Sequence, residues 1–126
     1  MKRIAVIEDN PDNRLLLRAI LEDRYQITDY ESGFEALTAL AAQPPDLVLL
    51  DISLPGMDGT EVLKKIRADP ALSKLPVIAL TAHAMSGDRE KYLSLGFDNY
   101  VAKPIVDEAI LLDAIAGGLN KIPGRD

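Results

Sequence analysis

Five short apolar runs, each ending at or near a polar residue, organise the chain, and residues at helical spacing fill the intervals between them. The runs are Arg3-Ile4-Ala5-Val6-Ile7-Glu8, the more alternating Tyr25 to Tyr30, Asp46-Leu47-Val48-Leu49-Leu50-Asp51, Pro76-Val77-Ile78-Ala79-Leu80 and Asn99-Tyr100-Val101-Ala102. Runs of this length between turn residues predict strands, and the unbroken apolar ones predict strands covered on both faces. Asn10-Pro11 puts a capping side chain before a proline at the first helical position and opens a helix to about Glu22. In that helix Leu16, Leu17, Ile20 and Leu21 share the face expected on the core, while Leu15 and Ala19 fall to one side. Leu15 is thereby a candidate exposed contact. Ser32-Gly33-Phe34-Glu35 reads as a capping box for a helix to about Ala42. Further helices are expected from Gly59 to Ala68, stopped by Asp69-Pro70, from Asp88 to Leu95, stopped by Gly96, and from Ile105 to about Leu119.

Five repetitions of strand and helix, without internal repeat, low-complexity tract or linker, specify an α/β fold. The expected form is a single doubly wound (βα)5 parallel sheet with right-handed crossovers and helices on both faces. Strand order 2-1-3-4-5 is the common solution at this size, although the pattern alone does not fix it. A length of 126 residues suits one domain, expected over residues 1–120, with a flexible tail at 121–126 and no output domain.

Composition narrows the function classes. Hydrophobic residues make up 48% and charged residues 27%, the balance of a soluble globular chain. The formal charge of -6 disfavours non-specific binding to nucleic acid or to an anionic membrane, both of which need a basic surface, but leaves cation binding open. Without cysteine there is no disulfide framework, thiolate zinc site or thiol nucleophile, which suits a cytoplasmic protein. The basic start Met1-Lys2-Arg3 precedes an apolar run too short for a signal peptide, and no run approaches a membrane span.

The ends of the strands carry the chemistry. Glu8 and Asp9 follow the first, Asp51 the third, Thr81 the fourth and Lys103 the fifth. In the expected order the first and third strands are neighbours at the switch point, where open α/β sheets bind ligands. Three carboxylates there would repel by up to roughly 4 kcal/mol per pair at ~4 Å and an effective dielectric near 20, so a cation belongs among them. Hard oxygen ligands that enclose an ion incompletely suit Mg²⁺. A free carboxylate beside such an ion suggests phosphoryl chemistry with the carboxylate as nucleophile. Lys103 would then hold a phosphoryl oxygen, Thr81 would donate to one, and the small Ala82 and Ala84 would leave room. Taken singly, Asp51 reads as readily as the cap of the next turn; it is the ordered set that is specific.

Glu8-Asp9-Asn10, Leu50-Asp51 with Leu54-Pro55-Gly56-Met57-Asp58-Gly59, Thr81-Ala82 and Tyr100-Val101-Ala102-Lys103-Pro104 resemble the signature of bacterial response-regulator receiver domains, in the family's order and spacing from about Lys2 to Leu119. The chain looks like a stand-alone receiver of the CheY or DivK kind, with the flavodoxin-like sheet of that family, and its Glu-Asp-Asn start also resembles receivers attached to hybrid histidine kinases. The resemblance implies that Asp51 accepts a phosphoryl group from a histidine kinase or histidine phosphotransfer protein and that the phosphorylated chain switches a downstream protein contact. It implies Mg²⁺, with Mn²⁺ able to substitute, on Asp9, Asp51 and the backbone carbonyl of Ser53, with Glu8 acting through water. It further implies that Thr81, Lys103 and the Ala82 backbone grip the phosphoryl group, that Thr81 and Tyr100 form the switch, and that the Lys103-Pro104 bond is cis. Ser53 and His83 stand where side chains of the family help or block the hydrolytic water, although an exposed loop residue is the competing reading of His83. Leu15, beside the helix start next to Asp9, is expected to help dock the phosphodonor. No nucleic acid, membrane insertion or enzymatic turnover of external substrates is expected.

Three other classes share parts of this pattern. A haloacid-dehalogenase-like phosphatase also uses Asp, Thr, Lys and Mg²⁺, but it needs a second acid two residues after the nucleophile, where this chain has Ser53. A pseudo-receiver would have lost site residues that are all present here. A flavodoxin-type cofactor protein would need Ser, Thr or Gly donors in the first loop, which reads Glu8-Asp9-Asn10-Pro11.

Overall fold

A computed structural model describes residues 1–82 and 88–120. The chain alternates β1 (Arg3–Ile7), α1 (Pro11–Leu21), β2 (Gln26–Tyr30), α2 (Gly33–Ala42), β3 (Leu47–Asp51), α3 (Gly59–Ala68), β4 (Val77–Thr81), α4 (Asp88–Leu95), β5 (Asn99–Ala102) and α5 (Glu108–Leu119). All strand pairs are parallel, in the order β2-β1-β3-β4-β5. The apolar runs account for the two helical layers, since β3 and β4 are buried along their whole length and need cover on both faces.

Strand alternation divides those runs between two cores. Ile4, Val6, Leu47, Leu49, Ile78 and Leu80 pack with Leu17 and Leu21 of α1 and Leu111 and Ile115 of α5. Ala5, Ile7, Val48, Leu50, Val77 and Ala79 pack on the other face, with Ala36, Leu40, Val62, Ile66 and Tyr92 from α2, α3 and α4. Successive side chains of a strand point to opposite faces, so the two sets follow from parity alone.

Local signals account for most boundaries. Asn10 Oδ1 accepts from Asp12 N and Asn13 N at the start of α1, and Ser32 and Asp58 cap α2 and α3 through Glu35 N and Glu61 N. Gly56 turns the loop after β3 with φ of 79°, a conformation that L side chains rarely adopt. At the amino-terminal edge of the sheet the Arg67 guanidinium donates to the carbonyls of Gly96, Ser73 and Leu75 and to Asp98, joining the end of α3 to the entries of β4 and β5.

Two expectations need correction. Leu16 does not lie on the core: it is 42% exposed, and only Leu17 and Leu21 of its helix are buried. The i, i+4 ridge of Leu17 and Leu21 fills the contact with the sheet, and Leu16 turns into an open groove between α1 and α5 lined also by Ala19, Ile20, Glu108 and Leu112. The closing helix starts at Glu108, not Ile105. Asp107 caps it by accepting from Ala109 N at 3.0 Å, which leaves Ile105 and Val106 in the preceding segment, Val106 at 89% exposure.

Candidate functional site

The carboxyl ends of β1, β3, β4 and β5 bring Glu8, Asp9, Asp51, Thr81 and Lys103 to one edge of the sheet. Lys103 Nζ lies 3.1 Å from Glu8 Oε1 and 3.1 Å from Asp51 Oδ1. One carboxylate oxygen from each of Glu8, Asp9 and Asp51 falls within 4.8 Å of the others. Glu8, Asp51 and Thr81 are buried, whereas Asp9 is exposed. The cluster is thus open at Asp9.

Each side chain is held by its neighbours. Glu8 accepts from Asn10 N at 3.2 Å and from Asn13 Nδ2 at 3.3 Å. Arg14 donates to the carbonyls of Glu8 at 2.8 Å and Asp9 at 3.0 Å, fixing the backbone that carries the acid pair. Asp51 Oδ1 accepts from Ser53 N at 3.1 Å. Asp51 thus holds the turn that follows it and also stands in the cluster. Behind Asp51, the first residue of α3 closes on the strand end: Gly59 N donates to Ile52 O at 2.9 Å.

The electrostatics follow from burial and pairing. Burial pushes the Glu8 carboxyl up from 4.5 to about 7, helped by a hydrogen bond shared with Asp51 and opposed by Asn10 N and Lys103. Burial would lower the Lys103 ammonium, but its hydrogen bond to Glu8 and the charge of Asp51 outweigh this and raise it above the ordinary value. Three carboxylates against one ammonium leave excess negative charge in a largely dry place. That charge balance and the all-oxygen donor set, with one open side, fit a hard divalent cation that keeps some of its waters.

Thr81 ends β4, and its Oγ1 lies 3.0 Å from the hydroxyl of Tyr92 on α4. The Tyr92 ring centroid is 5.7 Å from that of the half-buried Tyr100. Ala82 is exposed next to Thr81, Ser53 is exposed next to Asp51, and Leu15 on α1 is 68% exposed. The Lys103-Pro104 peptide bond is cis. His83 and Ala84 lie outside the described residues, as does the tail at 121–126. Sequence reasoning missed Tyr92, Asn13 and Arg14. For Tyr92 the available signal was a lone aromatic on an otherwise polar helix, four residues before Gly96.

Comparison with known proteins bears on this site. The family model described as response regulator receiver domain matches residues 4–116. Similar sequences include the sensor protein GacS of Pseudomonas syringae pv. syringae, 40% identical over 112 residues that cover 86% of this chain and 12% of that protein. The polar-differentiation response regulator DivK of Brucella ovis is 42% identical over 105 residues, 82% of this chain and 85% of DivK. The chain therefore spans about an eighth of the length of the sensor protein and most of the smaller regulator. Among solved structures, the receiver domain of the sensor histidine kinase PA1611 from Pseudomonas aeruginosa PAO1 superposes with a TM-score of 0.85 at 35% identity, over 95% of this chain and 98% of that one. That structure holds a magnesium ion coordinated in its active site cleft.

Proposed function

Because the chain belongs to the response regulator receiver domain family, we propose that it accepts a phosphoryl group on Asp51 from a histidine kinase or histidine phosphotransfer protein and thereby switches a protein contact in a phosphorelay. The observation that carries this reading is the half-buried Lys103 ammonium, 3.1 Å from Asp51 and from Glu8, with the exposed Asp9 beside them. An Asp51 oxygen attacks the phosphorus of a phosphohistidine, the electron pair of the P–N bond returns to the imidazole, and an acyl phosphate forms. Lys103 would neutralise an oxygen of the transferred group, and the Thr81 hydroxyl and the Ala82 N–H would donate to others. Asp9, Asp51 and the Ser53 carbonyl would hold Mg²⁺ or Mn²⁺, with Glu8 acting through water, and the ion would supply charge neutralisation at the phosphoryl oxygens. The side chain of Ser53, whose backbone N–H donates to Asp51 Oδ1, would tune access of the water that later hydrolyses the acyl phosphate.

The donor would dock against α1, whose first turn follows Asp9. Leu15 is large, apolar and exposed there. Leu15→Ala is expected to slow transfer about tenfold from a histidine phosphotransfer domain that labels the wild type, and to leave the rate with acetyl phosphate unchanged. Equal rates from that protein donor would remove Leu15 from the docking surface. Output is assigned to the α4-β5-α5 face, where an open groove of about 520 Å³ is lined by Arg89, Tyr100, Ala102, Ile110 and Asp113. The cytoplasm is the proposed setting; among the described residues no helix is long and apolar enough to cross a membrane.

Intact mass after incubation with acetyl phosphate and Mg²⁺ tests the assignment. One adduct is expected on the wild type and none on Asp51→Asn. No adduct on wild type sampled within seconds would defeat the proposal, as would rapid turnover of many phosphoesters.

A further inference from the structure

We propose that Tyr92 is a positioning residue for phosphorylation, its hydroxyl holding Thr81 away from the phosphoryl site. The inference rests on the reading of Asp51 as phosphoacceptor. Tyr92 is the only buried residue of α4, a helix whose remaining side chains give it no apolar stripe. Its ring sits between Phe97, edge-on at 6.0 Å, and Tyr100 at 5.7 Å, which fixes where its hydroxyl points. That hydroxyl meets Thr81 Oγ1 at 3.0 Å in a buried contact.

Strand parity gives the contact its direction. Asp51 continues the alternation of Leu47 and Leu49, which face α1 and α5. Thr81 continues that of Val77 and Ala79, which face α2, α3 and α4. The phosphoacceptor and the hydroxyl meant to grip its phosphoryl group therefore leave the sheet on opposite sides. For Thr81 to reach a group on Asp51 it must swing over the edge of the sheet and give up Tyr92. The Thr81–Tyr92 bond stabilises the unphosphorylated arrangement alone, so it sets how readily the phosphorylated one forms.

Tyr92→Phe keeps the ring and removes the hydroxyl. Titrating the full chain with beryllofluoride, an acyl-phosphate mimic, at saturating Mg²⁺ should show about fivefold tighter binding in this variant, the equivalent of one net hydrogen bond. The phosphorylated fraction at limiting acetyl phosphate should rise in step. Affinity for Mg²⁺ alone should not change, whereas a general loosening of the site would move it. In a Thr81→Ala background Tyr92→Phe should have no further effect. Equal or weaker beryllofluoride binding by Tyr92→Phe, a changed Mg²⁺ affinity, or the same gain in the Thr81→Ala background would overturn the proposal. A wild type that takes up neither acetyl phosphate nor beryllofluoride would overturn the phosphoacceptor reading and this one together. Normal wild-type phosphorylation with an indifferent Tyr92→Phe would overturn this one alone.

Discussion

Glu8→Gln should make the metal-free protein more stable at pH 8, by on the order of 3 kcal/mol, and leave it nearly unchanged near pH 4.5. The Glu8 carboxyl titrates at about 7 in the folded chain against 4.5 ordinarily. Between those values the folded state keeps a proton that the unfolded state has released. The contribution of Glu8 is therefore fully present below 4.5 and is lost as the pH rises through about 7. Glutamine resembles the protonated acid in charge: Asn10 N and Asn13 Nδ2 donate to different oxygens of Glu8, so its single carbonyl oxygen keeps one of the two hydrogen bonds, its amide can donate toward Asp51, and Lys103 keeps Asp51 as an ion partner. Urea denaturation of both proteins in EDTA across this pH range measures the difference directly. A difference that stays flat from pH 4.5 to 8 would show that Glu8 is not the strained group. Saturating Mg²⁺ should shrink the advantage of the variant, because an ion that binds only the folded wild type stabilises it by mass action.

Gly59→Ala should cost about 3 kcal/mol of stability and at least about tenfold in phosphorylation by acetyl phosphate, two losses with one origin. A methyl group on Gly59 would meet the Asp51 carbonyl oxygen and lie 2.8 Å from Ile52 Cα. Both neighbours are backbone, so no side chain can rotate out of the way. Relief requires either α3 or the end of β3 to shift, and the end of β3 carries Asp51, the proposed phosphoacceptor. Gly117 of α5 is the useful contrast, since nothing lies within 4 Å of the equivalent methyl position there. Paired thermal melts and phosphorylation rates test the claim. A Gly59→Ala protein with wild-type stability would refute it, and one that is destabilised but phosphorylated at the normal rate would show that Asp51 does not move.

The strands and their ends were legible because burial on both faces forces unbroken apolar runs, and because each run stops at a residue whose chemistry differs from what precedes it. Asn10, Ser32 and Asp58 disclosed helix starts through the same local chemistry that the structure uses. The start of α5 was misread because Ile105 and Val106 carry an apolar signal without a cap, while Asp107 supplies the cap without an apolar signal. Leu16 was misplaced because α1 has a wider apolar stripe than the sheet can cover. The bond between Thr81 and Tyr92 left no periodic trace at all. It is a tertiary contact between two residues eleven apart, and neither element's pattern points to the other.

The Arg67 guanidinium, which takes up the carbonyl of Gly96 from two nitrogens at 2.7 and 3.1 Å, has a mechanical consequence for α4. It fastens the residue just beyond the helix to α3, at the edge of the sheet away from the acids. A helix fastened at one tip has a fulcrum. Were α4 to tilt about Gly96 once Thr81 let go of Tyr92, the Arg89 hydrogen bond to Asn99 Oδ1, 3.1 Å long near the opposite tip, is a contact that would have to give.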